Sequence, residues 1–264
     1  MKVISNRNFV GSSALALACA LLTVATVRGA EVRVVTSRAF EAAYLELVPE
    51  YERTTHNKLV TEFGSSMGTT HSAIPQRLER GEAIDVVIMA APALADLIKQ
   101  GKVRVETRVD LAQSKIGMAV KAGAPQPDIS TVDALKHTLL AAKSIAYSDS
   151  ASGVYLSGEL FPKLGIAEQL KDKTRKIEGD PVGGVVANGE VEIGFQQISE
   201  LRPVRGIDIV GELPLGAQRV TVIAAGIPTT SKHPEAAKAL IQWLTSPAAY
   251  AAIKKSGLEP AKSR

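Results

Sequence analysis

Apolar and polar positions along this chain alternate between two periods. "EVRVVTS" (31–37) is a short valine-rich run of strand length. "AFEAAYLELVPEYERTT" (39–55) then spaces its apolar residues three and four apart, as one face of a helix requires. The pattern repeats. "KLVTEFG" (58–64) predicts a strand, and "HSAIPQRLERGE" (71–82) a helix with Pro75 near its start and Gly81 at its close. "IDVVIMAA" (84–91) predicts a third strand, and "PALADLIKQGK" (92–102) a helix ending at Gly101. "SKIGMAVKAGAP" (114–125) predicts a strand running out into a Gly/Pro turn.

A second unit follows: helix "TVDALKHTLLAA" (131–142), strand "SIAYSD" (144–149), helix "GVYLSGELFPKLGI" (153–166), short strand "TRKIE" (174–178), helix "VGGVVANGE" (182–190) and strand "VEIGFQQ" (191–197). "RVTVIAAGIP" (219–228) is a last strand. In the closing helical stretch "HPEAAKALIQWLTSPAAYAAIKKSG" (233–257), Ala237, Leu240, Ile241 and Leu244 recur at helical spacing. Strand–helix alternation implies a largely parallel sheet covered on both faces. The last strand and helices have no sheet of their own, so they are expected to return to the first unit. The reading is an α/β fold of two lobes, 30–112 plus 217–264 and 113–216, hinged by two crossing segments with a cleft between them.

The first 29 residues are set apart from that fold. "MKVISNRNF" is a basic n-region, "ALALACALLTVAT" an apolar h-region, and "VRG" a cleavage site with Val27 at −3 and Gly29 at −1. That is the form of a secretory signal peptide, so a periplasmic protein is expected, cut after Gly29 or Ala30. The apolar run is short for a membrane span and no later segment reaches its length, so no membrane insertion is expected after cleavage.

The leader changes the charge argument. Of 31 Lys and Arg, Lys2, Arg7 and Arg28 leave with it, so 28 remain against 27 acids. The high pI therefore says little about nucleic acid, and no such partner is expected. The single cysteine, Cys19, also lies in the leader. Thiol chemistry and cysteine–metal sites are excluded for the mature chain, and neither a metal nor a cofactor is expected. Aromatics make up only 4% of residues, so the core is expected to be aliphatic.

In open parallel sheets, ligands bind beyond the carboxyl ends of strands. The five strand-to-helix loops read "TSRAF" (36–40), "GSSMGTT" (64–70), "SDSASGVY" (148–155), "GDPVGG" (179–184) and "QQISE" (196–200). All are rich in Ser, Thr, Gly or Gln. Any one alone is an ordinary capping loop. Five together, facing one cleft, point to a site for an oxyanion or carboxylate, held by backbone and hydroxyl donors. There is no Walker loop. "GSSMG" does not make a convincing nucleophile elbow, because Ser66 has no Asp and His following in a suitable order.

The run of motifs "VVTSRAF", "FGSSMGTT", "ERGEAIDVVIMAA", "SDSASGVY", "EGDPVGG" and "GEVEIGF" resembles the periplasmic molybdate-binding proteins of ABC transporters over residues 31–259. The resemblance implies a type II periplasmic binding fold, a hinged clamp that closes on a small anionic ligand. It also implies an ABC permease as partner and a monomer. Carried over by position, the oxyanion contacts fall on Ser37, Ser65 or Ser66, Ser152 and Val182, with the family's tyrosine near Gln197. Met67, Thr69, Ser150, Gly153 and Gln196 complete the expected ligand-binding set.

Two positions depart from the family pattern. The first loop reads Thr36-Ser37-Arg38 where Ala-Ser-Leu is usual, and "GFQQ" stands where "GIVY" is usual. An arginine with two amides opposite suits a planar carboxylate better than a tetrahedral oxyanion. A divergent branch of the family includes aconitate isomerase. The function is therefore expected to be anion delivery to an importer or, alternatively, isomerisation of aconitate on the same clamp. The isomerase would need a proton carrier. His71 and Tyr155 are the expected carriers, with Asp149 and Glu159 also near the loops. His56, His137 and His233 are assigned no role.

Overall fold

The computed structural model describes Met1 and residues 29–261. Apart from its two end residues, the expected leader lies outside them. The described residues form eleven strands: β1 (Glu31–Thr36), β2 (Lys58–Phe63), β3 (Val86–Ala90), β4 (Val109–Ser114), β5 (Ile116–Lys121), β6 (Ile145–Ser148), β7 (Thr174–Ile177), β8 (Ile193–Gln197), β9 (Ile207–Glu212), β10 (Thr221–Gly226) and β11 (Glu259–Pro260). They build two sheets, a six-stranded one in the order β11-β4-β10-β3-β1-β2 and a five-stranded one in the order β7-β6-β8-β5-β9. The fold is α/β and two-lobed.

Each sheet holds a parallel triplet, β2-β1-β3 or β7-β6-β8. In these, the helix between successive strands carries the chain back to start the next in the same direction. The rest of each sheet corrects the expectation of largely parallel strands. β10 runs antiparallel to β3 and β4, and β5 runs antiparallel to β8 and β9. The cause is the connectivity. The chain leaves the first sheet at Ser114 and enters the second at Ile116, with only Lys115 between and no crossover helix. It returns between Glu212 and Thr221. These are the two segments that cross from one sheet to the other.

Packing follows the periodicities. The helix Arg38–Thr55 buries Phe40, Tyr44, Leu47 and Tyr51 on one face of the six-stranded sheet, beside Leu240, Ile241 and Leu244 of the helix Pro234–Leu244. Tyr51 and Trp243 meet edge to face at 5.3 Å. Phe40, Tyr44 and Tyr51, with Trp243 packed against them, thus put four aromatic rings in a core expected to be aliphatic. The helix Ala91–Lys99 covers the opposite face, where Leu94 and Leu97 pack with Val35, Val87 and Met89. Gly81 and Gly101 follow their helices at φ 71° and 70°, a left-handed conformation that glycine adopts without steric cost.

Three expected elements change. The helix expected from residue 71 begins at Ile74, since Ser65 O and Thr70 O hold the residues before it in a turn. The closing helical stretch is two helices, because Pro247 cannot continue the first and opens the second. The run after β6 is helical from Ala151 to Lys163 with a π-type segment over Leu156–Leu160, next to Pro162, which has no N–H to give.

Candidate functional site

The carboxyl ends of both parallel triplets point at one closed cleft. All five Ser/Gly/Gln-rich loops line it. The six-stranded sheet brings Ser37 and Arg38 after β1, Gly64, Ser65 and Ser66 after β2, and Ala90 at the end of β3. The five-stranded sheet brings Ser148 at the end of β6 and Asp149 to Ser152 after it, Gly179 and Asp180 after β7, and Gln196 and Gln197 at the end of β8 with Glu200 after it. Thr221 and Ile223 of β10 complete the wall. The cavity left at the centre is about 20 Å³, room for about one water. Two larger cavities flank it, of about 470 Å³ and 330 Å³.

The serines are not spent on capping. Ser37 and Ser150 stand at helix starts, and neither side chain caps its helix. Thr131 shows the contrast, accepting from Ala134 N at 3.0 Å. Ser37 Oγ is buried without a hydrogen-bond partner, as are Gln197 Oε1 and Asp149 Oδ2. Buried polar atoms normally find partners. Three such atoms around one cavity mark it as a place where a polar ligand would complete the hydrogen bonding.

The other polar groups position these. Ser66 Oγ accepts from Ala90 N at 2.9 Å, locking the loop after β2 against the end of β3. Ser152 Oγ and Ser148 Oγ lie 3.0 Å apart. Gln197 Nε2 donates to Thr221 Oγ1 at 3.0 Å, which leaves its carbonyl oxygen as the unpartnered end. Gln196 Oε1 accepts from Val182 N at 2.9 Å, and its Nε2 donates to Glu200 Oε1 at 3.1 Å. Ser65 Oγ donates to Asp149 Oδ1 at 3.2 Å, a bond from one sheet's loops to the other's that spans the cleft.

Arg38 is the cation beside the cleft. Its Nη1 donates to Glu41 Oε2 at 3.3 Å, one turn along the same helix, and its side chain is 37% exposed. Glu200 is the acid opposite. Burial pushes its carboxyl up to about 7, although the Gln197 backbone, the Gln196 amide and Arg38 all act to lower it. Burial also raises the Asp149 carboxyl, against the bonds from Ser65 and the Gly179 backbone. The cleft therefore holds two carboxyl groups that keep their protons to higher pH than usual.

Several expected residues lie elsewhere. His71 is exposed in a turn, and its contact is its carbonyl, which accepts from Arg80. Tyr155 Oη donates to Ala217 O at 3.0 Å, and its ring lies 4.4 Å under the Arg219 guanidinium. Burial raises its hydroxyl. It lines the 470 Å³ cavity beside the cleft, as do Met67 and Glu159, the latter paired with Arg219. Thr69 is exposed at the 330 Å³ cavity. Gly153 packs so closely under β6 that a Cβ there would sit 1.6 Å from Ser148 O. The Val182 amide is already bonded within the protein. The sequence reading missed Glu200, although it stands in "QQISE" as the acid closing a loop read only for its neutral donors.

This architecture is that of the two-lobed periplasmic binding proteins, and the chain belongs to the bacterial extracellular solute-binding protein family, whose model matches residues 32–259. Among individual relatives, it is 51% identical over 227 residues to a Pseudomonas protein named aconitate isomerase, covering 86% of this chain and 87% of that one. It is 27% identical over 256 residues to the molybdate-binding protein ModA of Azotobacter vinelandii, covering 92% and 95%. The solved Azotobacter vinelandii periplasmic molybdate-binding protein superposes with a TM-score of 0.69 at 21% identity, covering 88% of this chain and all of that one. Among the described residues, no helix is long and apolar enough to cross a membrane.

Proposed function

We propose that this chain is an exported isomerase that interconverts cis- and trans-aconitate inside a binding-protein clamp. The observation that carries the reading is the acid content of the cleft: Asp149 and Glu200 line the same cavity as Arg38, both amides and the serines. A site that only holds an anion calls for donors, because an ionised carboxylate repels any anionic ligand, oxyanion or aconitate alike. A proton shift beside a carboxylate calls for more. It needs a group titrating near the working pH, and donors for the charge that develops on the substrate. Arg38 offers a planar fork to a carboxylate, and the unpartnered hydroxyl of Ser37 is a further donor. The identity of 51% to the Pseudomonas aconitate isomerase, against 27% to the molybdate-binding protein, points the same way.

Family membership supports a second reading, in which the clamp hands a small anion to an ABC permease. In both readings the jaws part to admit the ligand, since the closed cavity holds only about 20 Å³. Calorimetric titration of the mature protein separates the ligand classes. The two aconitates are expected to bind saturably, with molybdate and sulfate giving no heat. Saturable molybdate binding with no response to either aconitate contradicts the carboxylate reading.

A further inference from the structure

Glu200 is held in the cleft by a framework that leaves its carboxyl free of any close cation. It lies in the short helix Ile198–Leu201, directly after β8. Its neighbour Ser199 donates from Oγ to Ala39 O at 2.7 Å, which ties this turn to the start of the helix that carries Arg38. That bond, a second one between the two lobes besides Ser65–Asp149, holds Glu200 near Arg38 in the closed form. Gln196 orients the carboxyl through Nε2, and the Val182 amide in turn fixes which way the Gln196 side chain faces. Among the described residues, no Lys, Arg or His nitrogen comes within 4.0 Å of the Glu200 oxygens, and Arg38 spends its near contact on Glu41.

Two other candidates are committed elsewhere: the Tyr155 hydroxyl is bonded to Ala217 O outside the cleft, and His71 is exposed. Asp149 shares the cleft and keeps Oδ2 unpartnered, but its Oδ1 is tied to Ser65 of the opposite jaw, a bond that parting of the jaws would break. We propose that the Glu200 carboxylate is the group that takes the proton from one allylic carbon of the substrate and returns it to the other. The proposal rests on the isomerase reading above.

In the step, Glu200 removes one proton from the methylene carbon of trans-aconitate. The C–H electron pair enters the allylic system and spreads onto the substrate's carboxylates. Glu200, now protonated, gives the proton to the far vinylic carbon, and the double bond moves over by one position. Glu200 ends ionised, as it began, and substrate and product are isomers, so no oxidant or co-reactant is needed. The charged groups around Glu200 are Arg38 and Glu41 from the long helix, with Asp149 and Asp180 from the facing loops. A carboxyl titrating near neutrality is matched to a proton that must be both taken and returned.

The test is Glu200→Gln, which keeps the shape and a hydrogen-bond acceptor for Gln196. Turnover of trans-aconitate is expected to fall by at least ~100-fold, while its calorimetric affinity stays within about threefold, roughly half of the 1.4 kcal/mol worth of a tenfold change. Glu200→Asp is expected to keep partial activity with a shifted acid limb in its pH profile, which a merely structural role would not move. Turnover of Glu200→Gln within tenfold of wild type overturns the proposal, and so does loss of turnover that is matched by loss of binding. If the wild type itself does not turn over aconitate, it is the isomerase reading that fails.

Discussion

Arg38→Ala is expected to weaken aconitate binding by roughly 1.5–3 kcal/mol, the worth of a hydrogen bond to a charged group. That is on the order of 10- to 150-fold in Kd. Arg38 opens the helix Arg38–Thr55, where a cation opposes the helix dipole and would not be placed for stability. Its contact with Glu41 is a 3.3 Å pair between partly exposed groups, which contributes little by itself. The variant should therefore keep its melting temperature while its affinity falls. Arg38→Lys is expected to recover only part of the loss, because a single ammonium cannot make the paired contacts of a guanidinium. Unaltered affinity for aconitate in Arg38→Ala would return Arg38 to a solvated role.

The largest effect on stability is expected at Asp85, far from the cleft. Its carboxylate accepts from Arg33 N, Lys232 N and His233 N, each at 3.0 Å, and from Ser231 Oγ at 2.7 Å. It joins the segment leading into β3 to the start of the helix Pro234–Leu244. Asp85→Ala leaves three backbone N–H groups without their acceptor, at about 1 kcal/mol or more each, so a loss on the order of 3 kcal/mol is expected in denaturant unfolding. Burial alone raises the Asp85 carboxyl, but the bonds from Arg33, Ser231 and His233 outweigh it and hold it below its ordinary value of 3.8. The folded state thus binds this proton less readily than the unfolded chain. The stabilisation is fully present above about pH 4 and is lost as pH falls through the folded value. Wild type and variant should therefore converge in stability in acid. A gap that stays constant down to pH 2 would show that the charge on Asp85 is not the cause.

Much of this molecule was legible in the sequence, for reasons that can be named. The parallel triplets were, because β1, β3, β6 and β8 are short apolar runs separated by helices with clear periodicity. The five loops were, because hydroxyls and glycines recur at every strand end. β4 was not, since "VDLAQS" mixes polar and apolar residues without a clean period and is joined to β5 through one residue. Its antiparallel placement follows from that junction, which no periodicity reveals. In the site, His71 and Tyr155 drew attention as titratable residues near the loops. Yet sequence spacing does not give side-chain direction, and a turn sends one outward while Ala217 O captures the other. Glu200 escaped for the opposite reason. An acid on the first turn after a strand is usually solvated, whereas the bonds of Ser199 to Ala39 and of Gln196 to the Glu200 carboxyl hold it half-buried at the cleft.

The central claim is that this clamp changes its ligand and does not merely hold it. Proton NMR of trans-aconitate incubated with the purified mature protein tests that most directly. The expected result is appearance of the cis isomer at a rate proportional to protein concentration, approached equally from either isomer. Saturable aconitate binding with unchanged spectra of both isomers, at high protein concentration, would contradict it and leave a binding protein that delivers its acid intact.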